Sequence, residues 1–347
     1  MMSKLKDILL SPWYAMQILT GAKSFSGNPV IGSEALNRRG LHVWRVKAAA
    51  RMAAYRRRRL EHLVAPADRL AFEEHGYIER RDLVPPDQFR QLVAEIEGLR
   101  VPAREMYEGN AVTRRTPLTP EVVARLPAVK AFLESPEWTN LIRYVGGFDV
   151  EPVISVQTIF ADASPEEKGK DPQTNLHMDT FHSTVKAWFF LHDVPPDEGP
   201  FTYVRGSHRL TQRRLAWHKR KSILASRKHG GGAFRLTRAE LKLLRLPEPT
   251  VFSVPANTLV VGDTFGFHAR GRSARPSIRV EIYASQRPNP FLPFIHLDTA
   301  VLPFVRGRKQ VIPWIFEDLG VRLGLAKRKW FPVGNPRPGE PVPSARR

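Results

Sequence analysis

His177 and Asp179 stand one residue apart, His268 follows about ninety positions later, and Arg279 lies beyond it. Two imidazoles and one carboxylate can occupy one face of an octahedral ferrous ion and leave the opposite face open to reactants. Alternate residues at a strand end point the same way, so His177 and Asp179 can reach one metal together, while His268 must arrive from another strand. A following arginine suits the far carboxylate of a small diacid, because its planar fork donates two parallel hydrogen bonds and stays charged. Catalytic zinc also takes three protein ligands, but a zinc hydrolase gives Arg279 nothing to do. The chain has no cysteine, which excludes disulfides, thiolate metal sites and a cysteine nucleophile and leaves His, Asp and Glu as ligands.

Positioning these residues requires a rigid frame. Short apolar or alternating runs at residues 153–160, 185–191, 201–204, 250–254, 258–261 and 278–284 are separated by Pro, Gly and Asp turns, the pattern of a β-sandwich or barrel. With a metal triad inside, a jelly roll is the expected form. Ahead of the strands, Phe89, Leu92, Val93, Ile96 and Leu99 recur at helical spacing. Thr119 and Ser135 are each followed by Pro and Glu, a cap, a first-turn proline and an acid at the positive helix end, so two further helices should pack outside the sheet. The expected class is α+β with a mainly β core, a double-stranded β-helix (jelly roll, cupin-like) with flanking helices. The expected domain plan is a basic, partly amphipathic helical extension over 1–66, a jelly-roll domain over 67–287 with a basic insertion or lid at 205–245, and a Pro-rich basic extension over 288–347.

Charge is the other strong signal. The 347 residues carry a net charge of +20, with 42% hydrophobic residues and 30 prolines, a globular composition whose surface is drawn to anions. A helix is expected from about Leu41 to Val64, with Arg56 to Arg59 consecutive and no acid between Arg38 and Arg59. Residues 1–26 mix Leu5, Ile8, Leu9, Leu10, Trp13 and Tyr14 with Lys4, Lys6 and Lys23, and the tail sets Trp314, Ile315 and Phe316 near Lys327 to Phe331. Apolar and aromatic residues beside basic ones suit a bilayer interface; the alternative in each case is a packed segment with a solvated charged face. Residues 334–347 are expected to be disordered. No window approaches the ~20 apolar residues of a membrane span, and no cleavable signal pattern stands out, so a cytoplasmic protein, peripheral on the inner membrane face, is expected.

A core strand at Lys186 to Leu191, a turn at Asp197 to Pro200, then Gly206, Ser207 and His208, and a later strand leading to Gly262, Asp263 and His268 follow one another in that order. In this the sequence resembles the phytanoyl-CoA dioxygenase family of iron and 2-oxoglutarate-dependent oxygenases. Glu198, Gly199 and Pro200 followed by Val204 to His208 are similar to the family's Gly-Pro turn and Pro-Gly-Ser-His phrase, with Arg205 where proline is usual. Phe72 to Ile78 with Leu83 to Leu99 looks like the family's opening segment, and the resemblance covers roughly residues 68–285. It implies that His177, Asp179 and His268 ligate Fe(II), that Arg279 binds the far carboxylate of the co-substrate 2-oxoglutarate with Arg275 as second candidate, and that Trp188 lines the co-substrate pocket. It also implies O2 as co-substrate, with 2-oxoglutarate converted to succinate and CO2 and a substrate C–H bond to an alcohol. The carboxylate at Asp179 favours hydroxylation, since halogenating members have a small residue there. Arg270, two after His268, departs from the small or hydroxyl residue the family often has and is a candidate contact for a substrate anion. His182 and His208 read as supporting residues, and His192, His218 and His229 as surface residues.

The expectation is therefore a jelly-roll hydroxylase whose substrate is a small molecule or a lipid, acyl or lipid-linked compound at an anionic membrane surface. Nucleic acid is disfavoured, since no recognised DNA or RNA module accompanies the arginines. Oligomeric state is left open. The competing expectations are a soluble hydroxylase of a small anionic metabolite, its extensions serving oligomerisation, and a non-catalytic basic protein that binds membranes or nucleic acid.

Overall fold

The computed structural model of the chain describes residues 11–161 and 171–341. Eleven strands form two antiparallel sheets among these residues: β1 (Tyr77–Arg80), β2 (Arg104–Glu108), β3 (Ala111–Pro117), β4 (Val153–Ala161), β5 (Val185–Phe190), β6 (Phe201–Tyr203), β7 (Thr250–Val251), β8 (Thr258–Asp263), β9 (His268–Arg270), β10 (Ser277–Gln286) and β11 (Phe331–Pro332). The large sheet runs β1-β8-β5-β10-β4-β3-β2-β11, and the small one runs β7-β6-β9. Isolated bridges from His177 to His268 and to Arg235 extend the small sheet past β9. The chain thus alternates between sheets, from β4 to His177, to β5, to β6 and β7, to β8, to β9 and to β10. That winding is a double-stranded β-helix, as the strand pattern predicts.

Period-two alternation sorts the faces. On β10, Val280, Ile282 and Ala284 join an outer core with Phe189, Leu259 and Val261, whereas Tyr283 joins Trp188, Phe201 and Tyr203 between the sheets. Arg279 and Glu281 share the Tyr283 face and also point between the sheets. Helix α1 (Leu41–Leu60) packs Val46 and Ala49 into a separate core with Phe181 and Trp217 and reaches the outer core only at Leu60, while the outer face is covered by α2 (Pro66–His75), α3 (Pro86–Glu97), α4 (Pro127–Glu134) and α5 (Pro136–Gly146). Burying a side chain such as Ile96, Trp138 or Phe189 in this layer stabilises the fold by about 1.5–3 kcal/mol each. Ser135 caps α5 through Trp138 N, as expected, but Thr119 opens only the single turn Pro120–Val123, and the longer helix begins at Pro127. Gly76 ends α2 at φ +86°, and a Cβ there would lie 2.6 Å from the Tyr203 hydroxyl, so only glycine lets the chain turn directly into β1.

The basic segments differ from expectation. Two arginines of α1 are turned inward rather than toward an anionic surface: Arg45 and Arg56 are both 1% exposed. Arg45 donates to the carbonyls of Ile18, Thr20 and Ala22, and Arg56 to those of Gly147, Pro290 and Leu292. The 205–245 segment packs against the domain through one face. Its helix α6 (Gln212–Arg227) buries Trp217 and Arg214, and Arg214 donates to the carbonyls of Ser207 and Phe265. His218, expected on the surface, is fully buried, with Nδ1 3.2 Å from His42 Nε2. Residues 334–341 are not disordered: Ala103 N donates to the Gly334 carbonyl at 2.9 Å, and Arg114 donates to the carbonyls of Arg337 and Glu340 at 2.9 and 2.6 Å. A last helix, α7 (Val311–Arg322), precedes β11. The remaining tail, 342–347, and the apolar and basic residues at positions 4–10 lie outside the described residues.

Candidate metal centre

Two reciprocal backbone bonds bring the remote histidine to the His177 loop. His177 N donates to the His268 carbonyl and His268 N to the His177 carbonyl, each at 3.0 Å, and Asp179 N donates to the Thr264 carbonyl at 3.1 Å. Asp263 locks the same two loops. Its Oδ2 accepts from Ser183 Oγ at 2.6 Å and from Arg57 of α1 at 2.9 Å, while Oδ1 accepts from Thr184 N and Phe265 N. The acid of the Gly262 to His268 phrase is therefore a positioning residue, tied to an extension the strand pattern alone does not connect to it.

The ligand atoms of His177, Asp179 and His268 all lie within 4.8 Å of one another. Asp179 Oδ1 is 3.8 Å from His177 Nε2 and 3.6 Å from His268 Nε2. Each ring donates from its other nitrogen, away from the cluster: His177 Nδ1 to the Asn175 carbonyl at 2.7 Å, His268 Nδ1 to the Gly266 carbonyl at 3.0 Å. Those bonds place the proton on Nδ1 and leave an Nε2 lone pair facing Asp179, the arrangement that outer hydrogen bonds impose on metal-ligating histidines. His268 Nε2 is buried with no hydrogen-bond partner among the described residues, a costly state unless something electrophilic takes its lone pair. Burial, with His268 nearby, lowers His177 to about 3, which keeps that ring neutral. Burial pushes the Asp179 carboxyl up, but Lys186 and His268 outweigh it and hold the group well below the usual carboxylate range. One carboxylate and two imidazoles fit a divalent iron ion.

A cavity of about 190 Å³ opens from this cluster, bordered by His177, His268, Lys186, Trp188, Arg115 and Arg279. It is smaller than the ~300–1,000 Å³ of drug-sized ligand pockets and suits a small acid. Arg279 donates Nε to Glu281 Oε2 at 3.1 Å and Nη1 to the Gly199 carbonyl at 2.5 Å. Trp188 is 6% exposed and packs 4.2 Å from the Phe201 ring. Arg270 also borders the cavity, held by Asp171 at 2.9 Å and Thr113 at 3.2 Å. Arg275 is outside it, paired with Asp197 and Glu198. His182 is buried against Phe181 and is not part of the ligand cluster, and His208 packs on Phe72.

Residues 72–229 match the phytanoyl-CoA dioxygenase (PhyH) family. The PhyH segment contains His177, Asp179 and Trp188 and ends before His268 and Arg279, so the second half of the site is joined to it by the fold. With the β-helix and the His-Asp-His cluster, the domain is of the iron and 2-oxoglutarate-dependent oxygenase type. Similar solved structures include the epimerase SnoN in complex with Fe3+, alpha ketoglutarate and nogalamycin RO, at 16% identity and TM-score 0.40 over 65% of this chain and 82% of that one. HygX from Streptomyces hygroscopicus with nickel and 2-oxoglutarate is 14% identical at TM-score 0.39 over 65% and 87%. AviO1 from Streptomyces viridochromogenes Tue57 is 18% identical at TM-score 0.37 over 64% and 94%. No curated protein sequence matches the chain.

Four site residues were not visible in the sequence. Lys186 of β5 stands 2.7 Å from Asp179 Oδ2, and Lys23 from the N-terminal segment donates to the Asp179 backbone carbonyl. Arg115 of β3 lies over the Tyr283 ring at 3.6 Å. Glu281, 0% exposed, joins Arg279 to Gln157. A signal existed only for Lys186, which precedes Trp188 by one alternation on the strand and therefore shares its face.

Proposed function

We propose that the chain is an Fe(II)- and 2-oxoglutarate-dependent dioxygenase that hydroxylates a C–H bond of an organic substrate. The convergence of two lone-pair-bearing Nε2 atoms and the Asp179 carboxylate beside an arginine-bordered cavity carries this reading. Bound there, Fe(II) would couple the conversion of 2-oxoglutarate and O2 to succinate and CO2 with transfer of one oxygen atom to the substrate, R–H becoming R–OH. His177, Asp179 and His268 would hold the ion by one face. Arg279 would take the far carboxylate of 2-oxoglutarate, its guanidinium already oriented by Glu281 and the Gly199 carbonyl. Lys186 would occupy the second oxygen of Asp179 and so keep its first oxygen for the metal. Trp188 and Phe201 close the wall behind these groups and exclude water.

The substrate class we infer is a lipid, acyl chain or lipid-linked compound, supported by Met106 and Trp330 at the cavity rim and by the strongly basic exterior. One observation favours a small anionic metabolite instead: Arg115 lines the cavity as a cation without a carboxylate salt-bridge partner among the described residues, whereas Arg279, Lys186 and Arg270 are paired with Glu281, Asp179 and Asp171. Succinate release from 2-oxoglutarate, dependent on Fe(II) and O2, tests the oxygenase reading. Wild-type protein should form succinate and the His177→Ala and Asp179→Ala variants should not; equal succinate from all three would sink it.

A further inference from the structure

Helix α7 is amphipathic, but it is mounted with its polar side toward the protein. Asp318 receives Arg104 of β2 at 3.0 and 2.6 Å and Arg328 at 2.6 Å, and Trp314, 4% exposed, lies under the Arg104 guanidinium at 5.0 Å. At 3.6 residues per turn, Ile312, Ile315, Phe316, Leu319 and Leu323 fall within an arc of about 100° on the other side. That stripe faces out: Ile315 is 58% exposed, Phe316 68%, Leu319 51% and Leu323 61%. Just before the helix Phe304 is 69% exposed, and just after it Leu325 is 80% exposed. Scattered apolar residues are ordinary on a protein surface, whereas a contiguous stripe of this kind marks a contact face.

What covers the face is indicated by the charges around it. Arg322, Lys327 and Lys329 flank the stripe and have no ion-pair partner among the described residues. A second copy of a chain with net charge +20 would bring the same cations together across a two-fold interface, and like charges there repel. An anionic lipid surface complements them while accepting the apolar stripe. The helix also adjoins the site. Trp314 lies 6.0 Å from the Trp330 ring, Trp330 borders the metal-site cavity, and Arg104 shares β2 with the cavity residues Met106 and Glu108.

We propose that α7 is an interfacial helix that seats its Ile315, Phe316, Leu319 and Leu323 stripe in an anionic lipid surface and brings the rim of the metal-site cavity to that surface. A hydroxylatable amphiphile would then reach the cavity from the lipid phase, a consequence that rests on the oxygenase reading, while the seating itself does not.

Co-sedimentation with phosphatidylcholine vesicles, with and without phosphatidylglycerol, tests the seating on the full chain without iron or 2-oxoglutarate. The wild type should bind the phosphatidylglycerol vesicles at least about tenfold more tightly than the neutral ones, with the difference shrinking in high salt. The double change Phe316→Ser and Leu319→Ser should weaken that binding at least about tenfold and leave the far-ultraviolet circular dichroism and the formation of succinate from 2-oxoglutarate unchanged. Arg322→Gln with Lys327→Gln is a second test that leaves the stripe intact and should remove most of the phosphatidylglycerol preference. Wild-type protein that binds neither vesicle overturns the proposal, as does a Phe316→Ser, Leu319→Ser protein that binds like the wild type. A wild-type dimer in sedimentation velocity that this double variant converts to monomer overturns it too, assigning the face to a second copy. Vesicle binding without succinate formation would remove the oxygenase reading and leave the seating in place.

Discussion

Asp179 is the residue on which the site turns, because its two oxygens have different surroundings. One faces both imidazoles and the other meets Lys186. Lys186→Met should therefore leave the ligand set intact but loosen the carboxylate, lowering Fe(II) affinity by roughly tenfold, within the range that losing an outer-shell partner costs; competition with a fluorescent chelator measures it. At the other end of the cavity, Arg279→Ala should weaken 2-oxoglutarate binding by roughly tenfold to a hundredfold, the worth of a charge-assisted hydrogen-bond pair, with Fe(II) affinity unchanged. Glu281→Gln keeps a hydrogen-bonding side chain against Arg279 but removes a buried negative charge, so 2-oxoglutarate should bind several-fold more tightly; weaker binding would show that the carboxylate is needed for orientation. The His177, Asp179 and His268 cluster was legible as a candidate because its members sit in two short phrases whose spacing suits metal chemistry. Arg115 and Glu281 were not, because only the pairing of β3 with β4 and of β4 with β10 sets Arg115, Gln157 and Glu281 side by side.

Among the elements, α1 shows how a charge run can mislead. Its span was legible from composition: the α-helix covers Leu41–Leu60, and a 3₁₀ turn carries it on through Leu63. Its facing was not, since the acceptors for Arg56 lie at Gly147, Pro290 and Leu292, far along the chain. Arg56→Ala would leave those carbonyls without a donor and should destabilise the protein by about 3 kcal/mol, seen as a lower urea midpoint at an unchanged slope. Arg58→Ala, exposed on the same helix, should change stability by less than about 0.5 kcal/mol. Equal effects of the two changes would contradict the bracing role. The strands β2 and β3 escaped notice for a related reason: Arg104, Arg114 and Arg115 give them the look of a solvated loop, yet Arg114 is buried in a pair with Glu105 at 2.7 Å.

At the scale of the whole molecule, the double-stranded β-helix was readable from six short apolar or alternating runs, because strands buried on one or both faces carry apolar residues at fixed positions between turn residues. The packing of both terminal segments onto it was not, since carbonyl capping by arginine leaves no periodic trace. No helix among the described residues is long and apolar enough to cross a membrane, and the outward stripe of α7 is an interfacial feature of a different kind. Because His177 and Asp179 come from a loop and His268 opens β9 of the small sheet, metal binding should clamp the two together. Saturating Fe(II) under anaerobic conditions should raise the melting temperature of the wild type, corresponding to about 2.7 kcal/mol at a hundredfold excess over Kd, and should leave a His177→Ala, Asp179→Ala protein unmoved. The central claim is tested most directly by anaerobic titration of the Fe(II)-loaded protein with 2-oxoglutarate, followed in the visible spectrum. The geometry predicts a weak charge-transfer band that saturates with 2-oxoglutarate in the wild type, requires higher concentrations in Arg279→Ala and is absent in the His177→Ala, His268→Ala double variant; a wild type that gives no band and no succinate on admitting O2 would contradict it.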